Sequence, residues 1–203
     1  MPFTMGWDGT WLGEERTSKF GAALNFHVRG LVADEQEFAD KRFKGRPNYA
    51  YLRGTFSHET TRPGGWGLAA RGSWQFAPQP LVSNEQFAIG GVDTVRGYLE
   101  SAALGESGVA LSLEAATPNF AKHLGDALDD AHMLAFVDGG WVSVRDPLPE
   151  QESQFSAQGA GLGLRVKAWK GGSAGVDWAV ALKSLGNTER GDSRVHFRVG
   201  YDW

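Results

Sequence analysis

The residue types that carry out most enzymatic chemistry are absent from this 203-residue chain, or stand outside the patterns that activate them. The chain has no cysteine, which excludes thiol nucleophiles, disulfides and thiolate metal sites. Its 5 histidines form no H-E-x-x-H motif, and neither G-x-S-x-G nor G-x-x-x-x-G-K-[ST] occurs. The sequence therefore predicts a protein that is not an enzyme and that uses no cofactor and no metal.

One arginine is placed where it can bind a partner within the protein. Residues 87–100 read F-A-I-G-G-V-D-T-V-R-G-Y-L-E and lie in the longest predicted loop, directly before a strand. Gly90, Gly91 and Gly97 permit backbone turns that a Cβ atom would block. Arg96 presents a rigid fork of five donors, which suits a carboxylate in a confined space. The alternative is an ordinary surface loop with a solvated arginine.

The rest of the chain is dominated by a period of two, which indicates strands. Near the C-terminus Val195, Phe197 and Val199 alternate with charged and polar residues. Each such segment has roughly the length that crosses a bilayer when tilted. The alternation predicts about nine strands, at residues 2–12, 19–29, 48–58, 66–76, 108–117, 131–143, 157–168, 173–183 and 193–203.

The predicted connections alternate in length, as in outer-membrane barrels with short turns at one end and long loops at the other. Residues 13–18, 60–65 and 170–172 form the short turns, and residues 30–46, 77–107, 144–155 and 186–192 are mostly longer. The connection at 118–129 fits less well, because it is longer than a tight turn and falls on the short side.

The apolar face of these strands can meet either lipid or a dry protein interior, and alternation alone allows both. Aromatic residues near strand ends resemble interfacial girdles and favour lipid. No stretch approaches about 18 consecutive apolar residues, which excludes a transmembrane helix, and the net charge of −4 argues against a nucleic-acid partner. We expect an all-β fold, an antiparallel transmembrane β-barrel. A soluble β-barrel that binds a ligand is the alternative.

Three further motifs join the loop segment F-x-x-G-G-x-x-x-V-R-G-Y-x-E. Residues 136–140 read F-V-D-G-G, residues 112–120 read S-L-E-A-A-T-P-N-F, and the last alternating strand ends in an aromatic residue. Together they resemble the BamA-type outer-membrane superfamily. Within it they resemble the two-partner secretion transporters, the haemolysin secretion/activation proteins of the ShlB/FhaC/HecB type. The resemblance spans about residues 7–203, although residues 1–60 agree in pattern rather than in motif.

The resemblance implies a position for each motif residue. In that family the V-R-G-Y loop folds back into the barrel lumen, where its arginine pairs with the aspartate of F-x-D-x-G on the lumen wall. The residues carried over are Gly90, Gly91, Val95, Arg96, Gly97 and Tyr98 in the loop, and Phe136, Asp138 and Gly140 on the wall. Glu114 is a possible further lumen contact, and Trp203 is the expected C-terminal barrel signal. We expect the glycines of 159–163 to make room for the loop on the inner face.

The resemblance also implies a function and a location. The family's barrel has sixteen strands and follows POTRA domains that capture the substrate. We therefore expect residues 1–203 to be the C-terminal part of an outer-membrane translocator domain, without POTRA domains or a signal peptide. The complete protein would export an unfolded hemolysin- or adhesin-like exoprotein across the outer membrane of a Gram-negative bacterium. Its other partners would be outer-membrane lipid and the barrel assembly machinery.

Two other functions stay open from sequence. A BamA/TamA-like assembly factor shares the V-R-G-Y loop, and an outer-membrane enzyme such as a lipase can be fused to a similar barrel.

Overall fold

The computed structural model describes residues 2–27, 48–168 and 171–201, and these are mostly β-structure. Two single-turn 3-10 helices lie in connections, at Ser83–Glu85 and Ala121–His123. Across the described ranges no helix is long and apolar enough to cross a membrane. The strands in these ranges are β1 (Pro2–Leu12), β2 (Arg16–His27), β3 (Tyr49–Arg62), β4 (Trp66–Phe76), β5 (Phe87–Ile89), β6 (Ala103–Gly105), β7 (Ser107–Ala116), β8 (Leu128–Ser143), β9 (Gln154–Ala168), β10 (Gly172–Ala181) and β11 (Ser193–Tyr201).

The long strands form one antiparallel sheet of nine strands, in the order β1-β2-β3-β4-β7-β8-β9-β10-β11. The two short strands, β5 and β6, pair with each other as a separate hairpin in the connection between β4 and β7. The prediction of an all-β antiparallel fold is thereby confirmed, but β5 and β6 were not expected. Among the described residues the sheet is not closed, since β1 and β11 each pair with one neighbour.

Several strands extend beyond the bounds expected from sequence, because backbone pairing between neighbouring strands continues into residues that were expected to form turns. Arg16 pairs with Thr60, so β2 begins earlier and β3 ends later than expected, and only residues 13–15 and 63–65 remain as turns. Likewise β9 begins at Gln154, which pairs with Ser143. The expected loop at 30–46 lies outside the described residues, as do Trp203 and Trp169, which is one of the aromatic residues expected near strand ends.

The two faces of the sheet differ as the alternation predicts. The connection 77–106 packs on one face, here called the inner face, and the opposite face is called the outer face. On the outer face Val195, Phe197 and Val199 are 62%, 78% and 83% exposed, so this row does not face a dry interior. Other large apolar side chains that are exposed include Trp7, Trp11, Trp66, Met133, Val137 and Leu162.

Two glycines lie beneath aromatic rings of a neighbouring strand. Gly72 pairs with Phe56, and Gly54 pairs with Trp74. A Cβ atom on Gly72 would stand 2.1 Å from a ring carbon of Phe56, and one on Gly54 would stand 2.7 Å from the Trp74 ring. The absence of a side chain lets each ring lie across the adjacent strand, an arrangement that protects backbone exposed at glycine.

The main buried core lies between the inner face and the connection 77–106. Buried apolar side chains from the connection meet side chains from β8, β9, β10 and the segment after β10, and removal of this surface from water favours the docked loop. The cluster consists of Ile89, Val95, Tyr98, Ala103, Val142, Ala157, Ala181 and Leu185.

Candidate functional site

The loop that carries the candidate site turns back on itself at two glycines. Gly90 and Gly91 have φ of +102° and +98°, a backbone region that side chains disfavour. The amide of Gly91 donates to the Val95 carbonyl over 3.1 Å. A Cβ atom on Gly91 would overlap the carboxylate of Glu100, which accepts a hydrogen bond from the Val92 amide at 2.9 Å. The tight turn therefore presents the next residues to the inner face.

Arg96 is buried at the tip of this loop and forms a two-pronged ion pair with Asp138 of β8. Its Nε donates to Asp138 Oδ2 over 2.7 Å, and its Nη2 donates to Oδ1 over 2.8 Å. The backbone amide of Arg96 also donates to Oδ2, at 3.1 Å. Their side chains are 4% and 1% exposed, so charge-assisted hydrogen bonds must replace the lost water.

Two more acidic residues and a hydroxyl complete the surroundings of the guanidinium. Arg96 Nη1 lies 2.7 Å from Glu114 Oε1 and 3.7 Å from Asp177 Oδ2. Nη2 also donates to Ser112 Oγ over 3.0 Å. Burial by itself would lower the pKa of Arg96, but the hydrogen bonds and charges of Asp138 and Glu114 raise it above its ordinary value. The guanidinium is therefore charged at every physiological pH.

The spacing of F-x-D-x-G follows from the geometry of one strand, because alternate residues of β8 point to the same face. Phe136 lies under the guanidinium, with the ring centroid 3.4 Å from the Arg96 Cζ. Asp138 binds it, and Gly140 leaves space for the loop. A Cβ atom on Gly140 would stand 2.8 Å from Val95 and 2.9 Å from Ile89. Each residue of the motif thus contacts the loop, or makes room for it.

Gly97 and Tyr98 attach the loop to the inner face at β9, β10 and β11. Gly97 has a φ of +97°, and a Cβ atom there would press on the backbone between Val180 and Ala181 at 3.1 Å. Its amide donates to Nε2 of His196 over 3.2 Å. The hydroxyl of Tyr98 lies 2.8 Å from the Gln158 carbonyl and 2.6 Å from the Lys183 carbonyl. It links β9 to the segment after β10.

The glycines of 159–163 lie on the inner face. A Cβ atom on Gly159 would stand 2.1 Å from the carbonyl oxygen of Arg96, and one on Gly161 would stand 2.6 Å from the ring of Phe136. One on Gly163 would stand 2.2 Å from Oδ1 of Asp177. In this structure the small residues of β9 leave space for the loop and for the side chains that hold it.

Sequence reasoning did not single out several residues of the site. Asp177 pairs with Arg165 at 2.8 Å, and Arg71 pairs with Glu114 at 2.9 Å. Each of these residues occupies a polar position in the alternating pattern of its strand. The alternation therefore predicts that it lies on the inner face, but it does not predict which residue it pairs with.

Sequence reasoning also missed Glu106, a buried carboxylate that holds the segment around Leu81 and Gln86 within the connection 77–106. Glu106 is fully buried. It accepts hydrogen bonds from Gln86 Nε2 and from the Arg145 amide, both over 2.7 Å. The sequence gives one signal for Glu106, which is that it is a charged residue within a run of small and apolar residues.

The structure brings most of the candidate residues together at one place. The loop residues from Val95 to Tyr98 contact the inner face beside Glu114 and the β8 motif. Gly90 and Gly91 lie at the base of the turn, and Trp203 lies outside the described residues. No group of side chains suited to a metal ion occurs in the part of the chain that the structure describes.

An antiparallel sheet with an apolar outer face, and with a loop docked on its polar inner face, defines the wall of a transmembrane β-barrel. The chain belongs to the haemolysin secretion/activation protein family ShlB/FhaC/HecB, whose family model matches residues 8–166.

Solved structures support the same fold. The chain is similar to CdiB from Escherichia coli, with a TM-score of 0.78 and 19% identity over 98% of this chain and 36% of that chain. It is also similar to CdiB from Acinetobacter baumannii, with a TM-score of 0.68 and 17% identity over 97% of this chain and 32% of that chain. The chain thus spans well under half the length of either. Comparison with curated protein sequences gives no match.

The Arg96–Asp138 pair is expected to behave as one energetic unit. Arg96→Ala should lower the free energy of unfolding by about 3 kcal/mol, because it leaves Asp138 buried without its cation. Asp138→Asn should lower it by about 2 kcal/mol, since it removes charge-assisted hydrogen bonds while Glu114 stays beside the guanidinium. The double variant should lose much less than the sum of the two. Urea unfolding of the full-length protein in detergent micelles measures this, and additive losses would contradict it.

Two adjacent glycines of β8 provide a matched test of the space under the loop. Gly140→Ala should cost about 1–3 kcal/mol, because its Cβ meets Val95 and Ile89. Gly139→Ala should change stability by less than about 0.5 kcal/mol, since no heavy atom lies within 4 Å of the added Cβ. The same unfolding measurement compares them. Equal effects would show that the loop does not pack against Gly140.

Proposed function

We propose that this chain is the C-terminal part of an outer-membrane barrel that exports an unfolded, hemolysin- or adhesin-like exoprotein through its lumen by two-partner secretion. Membership of a haemolysin secretion/activation family supports the proposal. The observation that carries it is the docking of Arg96 on Asp138 at the inner face, 2.7 Å apart. A charged loop tip held inside the barrel wall is suited to control passage rather than to perform catalysis, so we infer a non-enzymatic role.

The outer face supports a location in the outer membrane of a Gram-negative bacterium. Its apolar side chains stand exposed on strands long enough to cross a bilayer, as the lipid-facing row of a barrel must. Lipid is thus one partner in the proposal. The barrel assembly machinery is the other, and the residue assigned as its signal, Trp203, is outside the described residues.

The proposed role of the site is to hold the loop in a defined position on the wall. A loop of about thirty residues loses much conformational freedom when it docks. The buried ion pair at Arg96, the Tyr98 hydroxyl and the apolar cluster around Val95 offset that loss. In this proposal the contacts are strong enough to position the loop. They are also few enough that the loop can leave the wall when a polypeptide passes.

The family assignment favours export over the alternative of a BamA/TamA-like assembly factor, which the V-R-G-Y loop alone allows. A soluble ligand-binding barrel is not favoured, because it would bury the row that includes Phe197, which is 78% exposed. We assign no catalytic residue and no cofactor.

Arg96→Ala in the full-length transporter should leave the protein in the outer-membrane fraction and reduce export of the exoprotein, because the loop loses its charged attachment. Arg190→Ala is the matched control, since Arg190 is exposed and distant in sequence from both motifs. Export is measured as exoprotein in the culture medium relative to transporter in the membrane. Normal export by the Arg96 variant would refute the role assigned to this residue.

A pair of glutamate substitutions tests which face meets lipid. Val137→Glu on the outer face of β8 should lower stability in lipid vesicles by about 1–2 kcal/mol, whereas Thr55→Glu on the inner face, near Arg53, should cost little. Folding titrations in urea measure both. If Val137→Glu is as harmless as Thr55→Glu, the outer face does not contact acyl chains.

A further inference from the structure

The pocket around the Arg96 side chain, here called the guanidinium site, consists of Phe136, Asp138, Glu114, Ser112 and Asp177. Most of its walls are held by contacts that do not involve Arg96. Glu114 is bound by Arg71 at 2.9 Å, and Asp177 is bound by Arg165 at 2.8 Å. Ser112 pairs with Asp138 in the ladder of β7 and β8. The site is therefore organised in advance of its occupant.

Asp138 is the wall residue that depends on the occupant. Within the described residues, every hydrogen bond to its carboxylate comes from Arg96. The same pocket contains Glu114 and Asp177, which Arg71 and Arg165 already bind. Departure of Arg96 would therefore leave Asp138 without a cation of its own beside two other acidic groups. A state in which the loop has left the wall thus favours entry of another cation.

The shape of the site selects a guanidinium over an ammonium group. Asp138 accepts two parallel hydrogen bonds, at 2.7 and 2.8 Å, and the Phe136 ring forms a flat floor 3.4 Å from the guanidinium carbon. A planar fork satisfies both features at once. The ammonium of lysine is a compact point charge that cannot make the paired bonds.

The site is also reachable from the inner face. A cavity of about 300 Å³ opens beside it and is lined in part by Arg96, Glu114 and Asp138. A side chain from another polypeptide can approach the carboxylates through this space without displacement of the sheet.

We propose that the guanidinium site also receives arginine side chains of the polypeptide in transit, in competition with Arg96. This inference rests on the proposed export function, because it requires a chain to pass along the inner face. Exchange of one arginine for another lets the loop leave the wall while Asp138 stays paired. An arginine of the exported chain then delays the return of the loop until that segment has passed.

The site itself is tested without export. In the full-length Arg96→Ala protein in detergent micelles, methylguanidinium chloride at millimolar concentration, well below the range in which guanidinium salts denature proteins, should raise Tm by about 3 °C more than an equal concentration of methylammonium chloride. The double variant Arg96→Ala/Asp138→Asn should show no such difference. An equal response to the two salts in the single variant would overturn the assignment of a guanidinium site.

Where the Arg96→Ala protein folds poorly, its refolding yield in the presence of each salt serves as the readout. Methylguanidinium should then increase the folded fraction of the single variant and leave that of the double variant unchanged. No increase over methylammonium overturns the assignment in this format as well.

The competition is tested with the exported chain. Replacement of all arginines of the exoprotein by lysine should reduce export at least twofold through the wild-type transporter. Through an Asp138→Asn transporter, whose total export is lower, the arginine and lysine forms should be exported in equal amounts. Deletion of the transporter gene reports separately on the proposed function. Export that needs the transporter but ignores the arginine-to-lysine change overturns only the further inference.

Discussion

The site depends on the cost of burying one guanidinium. Arg96 has lost nearly all of its water, and it is tolerated because Asp138 meets it with two hydrogen bonds while Glu114 lies 2.7 Å away. That requirement dictates the neighbours. The carboxylate must face inward, the next inward residue of β8 must be small, and β9 must carry glycine where the carbonyl of Arg96 approaches. The sequence motifs around Arg96 therefore supply what a buried ion pair on a sheet requires, namely an inward carboxylate and small neighbouring residues.

The charges at the site also connect strands that are distant in sequence. Glu59 of β3, Arg71 of β4 and Glu114 of β7 form a chain of ion pairs that reaches Arg96. On the other side, Arg165 of β9 holds Asp177 of β10 beside the same guanidinium. The loop arginine thus completes a line of alternating charge across the inner face. On the outer face, in contrast, the described contacts include aromatic rings over glycines, as Phe56 lies over Gly72 and Trp74 over Gly54.

The strands and the two faces could be predicted from sequence because a period of two is a local property. The rows that contain Val195 and Trp66 set the outer face without any tertiary information. The pairing of Arg96 with Asp138 came from the resemblance, since nothing local links residues 42 positions apart. Arg165–Asp177 and the role of Glu106 could not be predicted, because they depend on strand register and on how the connection 77–106 folds. Strand ends were shifted for the same reason, as at Arg16 and Thr60, where pairing overrides turn-like composition.

Tyr98 gives the loop a mechanical property that a single salt link would not. Its hydroxyl is clamped between the Gln158 and Lys183 carbonyls, two residues along the chain from the guanidinium. One tether alone would leave the tip free to swivel about it, whereas two tethers define an orientation. The tip is consequently fixed in orientation as well as in position, by β8 through Asp138 and by the open end of the β9–β10 hairpin through the Tyr98 hydroxyl.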